Sequence, residues 1–222
     1  LKYQVLDMTN EALLCKGLVE RIGMGGSVIT HEKMGQDKVK TEVPMKDHKD
    51  AIAQVLAAVQ NAEYGVVADM AEIGAVGHRL VHGADKFSKS VIIDDEVIET
   101  VKECSVLSPL HNPANLTGIE VCESIMKGIP QVAVFDTAFH QTIPECAYMY
   151  ALPYKYYQKH GIRKYGFHGT SHRYVSARTT DFLMKKYPGK YNADELKVIT
   201  CHLGNGSSIS AIKGGKCFDT TM

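Results

Sequence analysis

An α/β fold in two lobes is the architecture this 222-residue chain predicts, on three observations. Ile52, Val55, Leu56 and Val59 fall at i, i+3, i+4 and i+7, the apolar stripe of a helix packed on one face. Gln131 to Phe135 is a short apolar run that follows a helical segment and ends at Asp136, a strand closing on a carboxylate, which is a common place for chemistry in α/β folds. Lys197 to His202 is another strand, which Gly204-Asn205-Gly206 turns into the alternating Ser208-Ile209-Ser210-Ala211-Ile212, a β-hairpin. Strands and helices mixed in this order argue α/β, with a division between Cys146 and Leu152.

Taken in order, Lys2 to Asp7 alternates and predicts a strand, and Lys38 to Val43 alternates among lysines, as sheet edges do. The striped helix starts at Asp47. Ala75 to Val81 reads as a buried strand. Asn112-Pro113 is a helix start, an Asn cap followed by proline at the first helical position, and the helix runs through Leu116, Ile119 and Ile125 to Gly128 and Pro130. Ser171 to about Lys186 is a further helix with Val175, Phe182 and Leu183 inward. After the hairpin, Gly214-Gly215 turns the chain into a last strand, Lys216 to Asp219.

Composition narrows the function. With 45% hydrophobic residues the chain has enough apolar material for a core. Twenty-five basic and twenty-five acidic residues cancel, which removes the charge excess that draws a protein to nucleic acid or an anionic membrane. No apolar run approaches the ~18 residues that cross a bilayer, and Leu1-Lys2-Tyr3-Gln4 is no hydrophobic leader, so a soluble, cytoplasmic protein is expected. The six cysteines lack Cys-x-x-Cys or zinc-ribbon spacing and read as reduced, buried, small apolar residues. Opening on Leu1 and stopping at Asp219-Thr220-Thr221-Met222, the chain is expected to be a fragment lacking both ends.

Among ten histidines, His78-x-x-x-His82 and His168-x-x-x-His172 mimic the spacing of a zinc helix. The first pair lies in a strand, where four residues span ~13 Å. The second straddles Gly169-Thr170, where a helix is only beginning, and His-Glu-x-x-His is absent, so a zinc site is not expected. Gly204-Asn205-Gly206 is either a tight hairpin turn or a phosphate cradle. Walker and dinucleotide fingerprints are both absent.

Four segments gather polar and small residues at the ends of apolar strands: Gly77-His78-Arg79-Leu80-Val81-His82-Gly83, Leu110-His111-Asn112-Pro113-Ala114-Asn115-Leu116, Phe135-Asp136-Thr137-Ala138-Phe139-His140 and Tyr165-Gly166-Phe167-His168-Gly169-Thr170-Ser171-His172. Each alone has a structural explanation as a pair, cap or turn. Together they supply a fork-shaped cation, neutral donors and a carboxylate, the equipment of phosphoryl transfer to a carboxylic acid. In this order, with His202-Leu203-Gly204-Asn205-Gly206 and the closing Asp219-Thr220-Thr221-Met222, they resemble the acetate kinase family over essentially all 222 residues.

That resemblance implies the two-lobed actin-like, ribonuclease H-like ATPase fold with mixed five-stranded sheets, incomplete here: residues 1–148 in one lobe and 149–222 beginning the next. It implies Mg2+-dependent, reversible transfer of the γ-phosphoryl group of ATP to acetate, in a homodimer. Arg79 resembles the carboxylate-binding arginine, for which a bidentate guanidinium is apt. Asp136 matches the active-site aspartate, acting through Mg2+ or its water shell rather than as a base, since acetate is already ionised at neutral pH. His168 matches the histidine that steadies the transferring phosphoryl group, and His111 a second active-site histidine. Val81, Leu110 and Phe167 match the wall around the substrate methyl, where an extra methylene is worth ~1–3 kcal/mol, so preference for acetate over propionate should be strong but incomplete. Lys2 matches the lysine ending the family's first phosphate loop, and His202, Leu203, Gly204, Asn205 and Gly206 match its second.

The family's opening Asn-x-Gly-Ser-Ser-Ser would precede Leu1, while its second arginine, adenosine pocket and late metal-binding glutamate would follow Met222. The chain alone is therefore expected to be inactive or nearly so, without a direct metal ligand. Alternatives are a propionate or butyrate kinase, an actin-like or Hsp70-like nucleotide-binding module and, third, a metal hydrolase.

Overall fold

The computed structural model describes residues 1–222. They form two compact units: Leu1–Val76 with Thr117–Gln131, and Gly77–Leu116 with Val132–Met222. The first opens with four antiparallel strands in sequence order, β1 (Lys2–Asp7), β2 (Ala12–Glu20), β3 (Val28–Lys33) and β4 (Val39–Glu42). β1 and the lysine-bearing edge β4 are where the alternation put them. β2 and β3 carried no prediction, although Cys15, Val19 and Ile29 supply the sheet's buried face. α1 (His48–Val59) packs on that face through Ala51, Val55, Ala58 and Val59. Asp47 caps it, its carboxylate accepting the Asp50 N–H at 3.0 Å.

Then follow β5 (Val76–Leu80), β6 (Val91–Ile92), α2 (Asp95–Glu103), α3 (Asn112–Ile125) and β7 (Gln131–Phe135). β7 lies between β5 and β6. It runs parallel to β5, as the bonds Val76 N–H to Pro130 C=O and Asp136 N–H to Leu80 C=O, both 2.9 Å, show. β5 is not the buried strand expected. It is an edge, and only Leu80 is buried while Gly77 and Arg79 face out. α3 also corrects two expectations. Asn112 does not cap the helix, because its side chain is spent on the backbone of His82, accepting its N–H at 3.2 Å and donating to its C=O at 2.9 Å. The helix ends at Ile125, short of the expected Gly128, and buries Leu116, Ile119 and Cys122, with Met126 buried just beyond it.

The remainder is α4 (Glu145–Tyr148), α5 (Lys155–His160), α6 (Gly169–Lys186), β8 (Lys197–Leu203), β9 (Ser207–Lys213) and β10 (Lys216–Thr220). The last three make an antiparallel sheet, with Leu203 opposite Ser207 across the turn. α6 reverses the expected polarity. Val175 and Phe182 are 44% and 57% exposed, and Leu183 is only half-buried, whereas Gly169, His172 and Ser176 face inward. The reason lies across from it: β8 and β9 turn Thr200, Ser208 and Ser210 to the interior, so hydroxyls rather than methyls await the helix. Two of the six free cysteines, Cys146 and Cys201, are exposed rather than buried. No helix is long and apolar enough to cross a membrane.

Candidate active site

Strand β7 ends at Phe135 and delivers Asp136, whose N–H is held by Leu80 on β5 and whose C=O accepts the Gly169 N–H at 3.0 Å. With both backbone groups fixed, the carboxylate meets Arg79 edge-on. Arg79 Nε donates to Oδ1 at 3.0 Å and Nη2 to Oδ2 at 2.7 Å. Asp136 is buried, its side chain 2% exposed, while that of Arg79 is 65% exposed. A buried anion thus grips one edge of a guanidinium and leaves the other, Nη1 with the second N–H of Nη2, directed away from Asp136. The pairing raises the Arg79 pKa above its usual value.

The His168 N–H reaches Asp136 Oδ2 at 3.4 Å. His168 precedes α6 with φ 57°, a left-handed conformation that costs on the order of 1–3 kcal/mol in a residue with a side chain. Its ring is fixed on two sides. Nδ1 lies 2.8 Å from Ser208 Oγ, and the His202 ring stacks on it at 4.1 Å between centroids, 17° from parallel. His202 Nδ1 is in turn 2.9 Å from Ser171 Oγ. One helical turn on, His172 places Nε2 2.8 Å from the same Ser208 Oγ and Nδ1 2.7 Å from Thr200 Oγ1. His140 donates from Nε2 to the Phe167 C=O at 2.8 Å, fixing the residue before His168.

His140, His168 and His172 are held neutral. Burial, reinforced by His140, His168 and His202, pushes the His172 pKa down to about 4. Burial and then His202 lower that of His168, and burial lowers that of His140. Two glycines permit the close packing. A Cβ on Gly169 would stand 2.3 Å from the Asp136 carbonyl oxygen, and one on Gly206 would stand 3.2 Å from His168 Nε2.

Of the residues singled out in the sequence, the structure joins Arg79, Asp136, His168 and His202 in one cluster. Val81 donates its N–H to Asn115 Oδ1, and Phe167 sets its ring edge-on to buried His82. Leu110, 85% exposed, and exposed His111 lie in the turn before α3, outside the cluster's hydrogen bonds. In the 204–206 turn the Gly204 N–H is spent on the Gly206 C=O at 3.2 Å, so it is closed as a hairpin on that side. Lys2 is exposed on β1, in the first unit. Sequence reading missed Ser208 and Thr200 and gave His172 no role beyond half of a metal spacing and the last residue of a polar segment. The signal available was serine at alternate positions of β9, the face that a strand normally fills with apolar residues.

No three His, Cys, Asp or Glu side chains are grouped to hold a metal ion. A fixed bidentate-binding cation beside preset neutral donors, on an α/β frame, is donor chemistry of the kind that suits anionic oxygens. The fold is that of carboxylic-acid kinases of known structure. Porphyromonas gingivalis acetate kinase superposes with a TM-score of 0.90 at 49% identity, over 99% of this chain and 53% of that one. A propionate kinase from Francisella tularensis gives 0.88 at 39% identity, over 100% and 54%. The chain belongs to the acetokinase family, whose model matches residues 1–222. Acetate kinases of Treponema denticola and Clostridioides difficile are 60% and 58% identical over the whole chain. The chain spans about half the length of these curated relatives, 54% of each. Its sheets, of four, three and three strands, are each short of five.

Proposed function

We propose that this chain is part of an acetate kinase, a cytoplasmic homodimer that transfers the γ-phosphoryl group of ATP, as its Mg2+ complex, to acetate, giving acetyl phosphate and ADP reversibly. Residues 1–148 belong to one lobe of it and 149–222 to the next. The observation that carries the reading is the guanidinium of Arg79, one edge clamped by buried Asp136 and the other edge facing outward. A carboxylate of the substrate fits that second edge bidentately, and an already ionised nucleophile needs no base. The role of Asp136 follows: it fixes the arginine that fixes the acid.

His168 donates to the equatorial oxygens of the transferring group, where a loose transition state spreads negative charge. A neutral ring locked by Ser208 and His202 does this without reorganising. Val81, Leu110 and Phe167 bound the methyl group, His111 lies at the acid's approach, and residues His202 to Gly206 contact ATP phosphates. The chain's own donors do not fit a Mg2+ site: the one buried carboxylate is occupied by Arg79, and no second joins it. Mg2+ would supply charge neutralisation on the triphosphate, and the residues here are assigned no step through it.

The test is ATP-dependent acyl phosphate formation by the full-length protein, trapped with hydroxylamine, with acetate, propionate and butyrate compared. Acetate should lead, and His168→Ala should lower kcat by about 100- to 1000-fold, as loss of one oxyanion donor does. ATP consumption that ignores the acid would replace this reading with a nucleotide-binding module.

A further inference from the structure

The Ser208 hydroxyl lies 2.8 Å from both His168 Nδ1 and His172 Nε2. It has a single proton and two lone pairs, so it donates to at most one ring and accepts from the other or from both. With both imidazoles neutral, only two polarities run unbroken along the chain Thr200, His172, Ser208, His168, because a Ser208 that accepted from both rings would leave its own buried proton without a side-chain acceptor.

The buried end decides between them. Thr200 Oγ1 has His172 Nδ1 as its side-chain partner, at 2.7 Å, and the residue is buried. In one polarity the Thr200 O–H donates to His172 Nδ1, His172 Nε2–H donates to Ser208 Oγ, and the Ser208 O–H donates to His168 Nδ1. Every buried proton is used, and the ring proton of His168 sits on Nε2. In the other, every donation reverses and the Thr200 proton is buried without an acceptor, a penalty that disfavours that polarity roughly five- to a hundredfold. His168 Nε2 lies on the ring edge beside Gly206, where a Cβ would come within 3.2 Å.

We propose that Thr200, His172 and Ser208 are positioning residues, a directional relay that sets His168 as the Nε2–H tautomer and aims that proton along the Gly204–Gly206 turn. The proposal rests on the reading of His168 as the donor to the phosphoryl group, and it names what makes that ring a donor rather than an acceptor. A neutral histidine with its proton on Nδ1 would present a lone pair to an anionic oxygen, which repels it.

Long-range 1H–15N correlation on the full-length protein labelled with [15N]histidine reads the tautomers directly, the His168 signals being assigned from a His168→Asn spectrum. Both His168 and His172 should carry their protons on Nε2 near pH 7. A proton on His168 Nδ1, or a doubly protonated ring, overturns the relay, and this measurement needs no variant to fold. Ser208→Ala should lower kcat about ten- to a hundredfold through misplacement of the ring, with KM for acetate and ATP within about twofold. Ser208→Thr, which keeps the hydroxyl, should recover most of the loss. An unchanged kcat in Ser208→Ala sinks the relay alone. An unchanged kcat in His168→Ala would instead remove the function assigned to His168, whatever the tautomer.

Discussion

Replacing Arg79 by lysine in the full-length protein separates the clamp from mere positive charge. Arg79 spends Nε and one Nη2 proton on Asp136, at 3.0 and 2.7 Å, and keeps a second two-proton edge for the substrate. An ammonium is a point donor and cannot serve both edges in one plane. One charge-assisted bond to the acid is then lost, about 1.5–3 kcal/mol or roughly 10- to 150-fold in kcat/KM for acetate. KM for ATP should stay within about twofold. Stability should change by less than about 1 kcal/mol, because lysine still faces the carboxylate and Arg79 is largely solvated. Arg79→Ala is the contrasting case. Stranding buried Asp136 would cost about 3–5 kcal/mol in a closed interior, and solvent at this half-open pair reduces that to about 1–2. The assay is hydroxylamine-trapped acyl phosphate against acetate concentration, with thermal melts alongside. A lysine variant of unaltered kcat/KM for acetate, or one whose defect lies wholly in ATP binding, would refute the clamp.

Gly169→Ala should destabilise by about 1–3 kcal/mol, since its Cβ would meet a backbone carbonyl that is itself hydrogen-bonded, and a melting temperature equal to wild type would contradict the packing. Acid should unfold the protein early. Buried His82 and His172 both have their pKa pushed down to about 4, so the unfolded chain takes up protons that the folded one refuses, and stability falls as pH drops from 6.5 to 4. The full loss is on the order of 3 kcal/mol for each imidazole. In denaturant titrations across that range, His82→Gln should flatten the slope by about one proton, and an unaltered slope would count against the assignment.

Apolar periodicity made the frame readable: α1 from its stripe, β7 from the four apolar residues that follow Gln131, the β8–β9 hairpin from its glycine turn. What stayed hidden was hidden for a physical reason. α6 was expected to bury Val175 and Phe182 because methyl groups normally seek the interior, but here the interior is polar. Its burial is stabilised by hydrogen bonds of 2.7–2.8 Å between His172, Thr200 and Ser208, a pattern with no periodic hydropathy to betray it. Asn112 failed as a cap for a related reason. A side chain that caps well also bridges a backbone well, and the choice depends on where His82 lies in space.

The same inversion explains how the site's residues are divided in labour. Asp136 and Arg79 form the one strongly charged pair of the cluster, and the imidazoles around it, His140, His168 and His172, are kept uncharged by burial and by one another. A charged His168 would sit beside Arg79 with like sign, and its lowered pKa reflects that guanidinium among its causes. Neutral donors avoid the repulsion while still offering a proton to an oxygen that gains charge. It follows that donation by His168 should be insensitive to pH from neutrality upward, since His140, His168 and His172 are already neutral there and each keeps its single N–H. Activity of the full-length protein should therefore fall on the acid side only, as His168 protonates and takes on the charge that burial denies it. A pH–kcat profile that instead declined from pH 6 to pH 8 would mean that the ring works as an imidazolium, and that the packing around Ser208 had been given the wrong purpose.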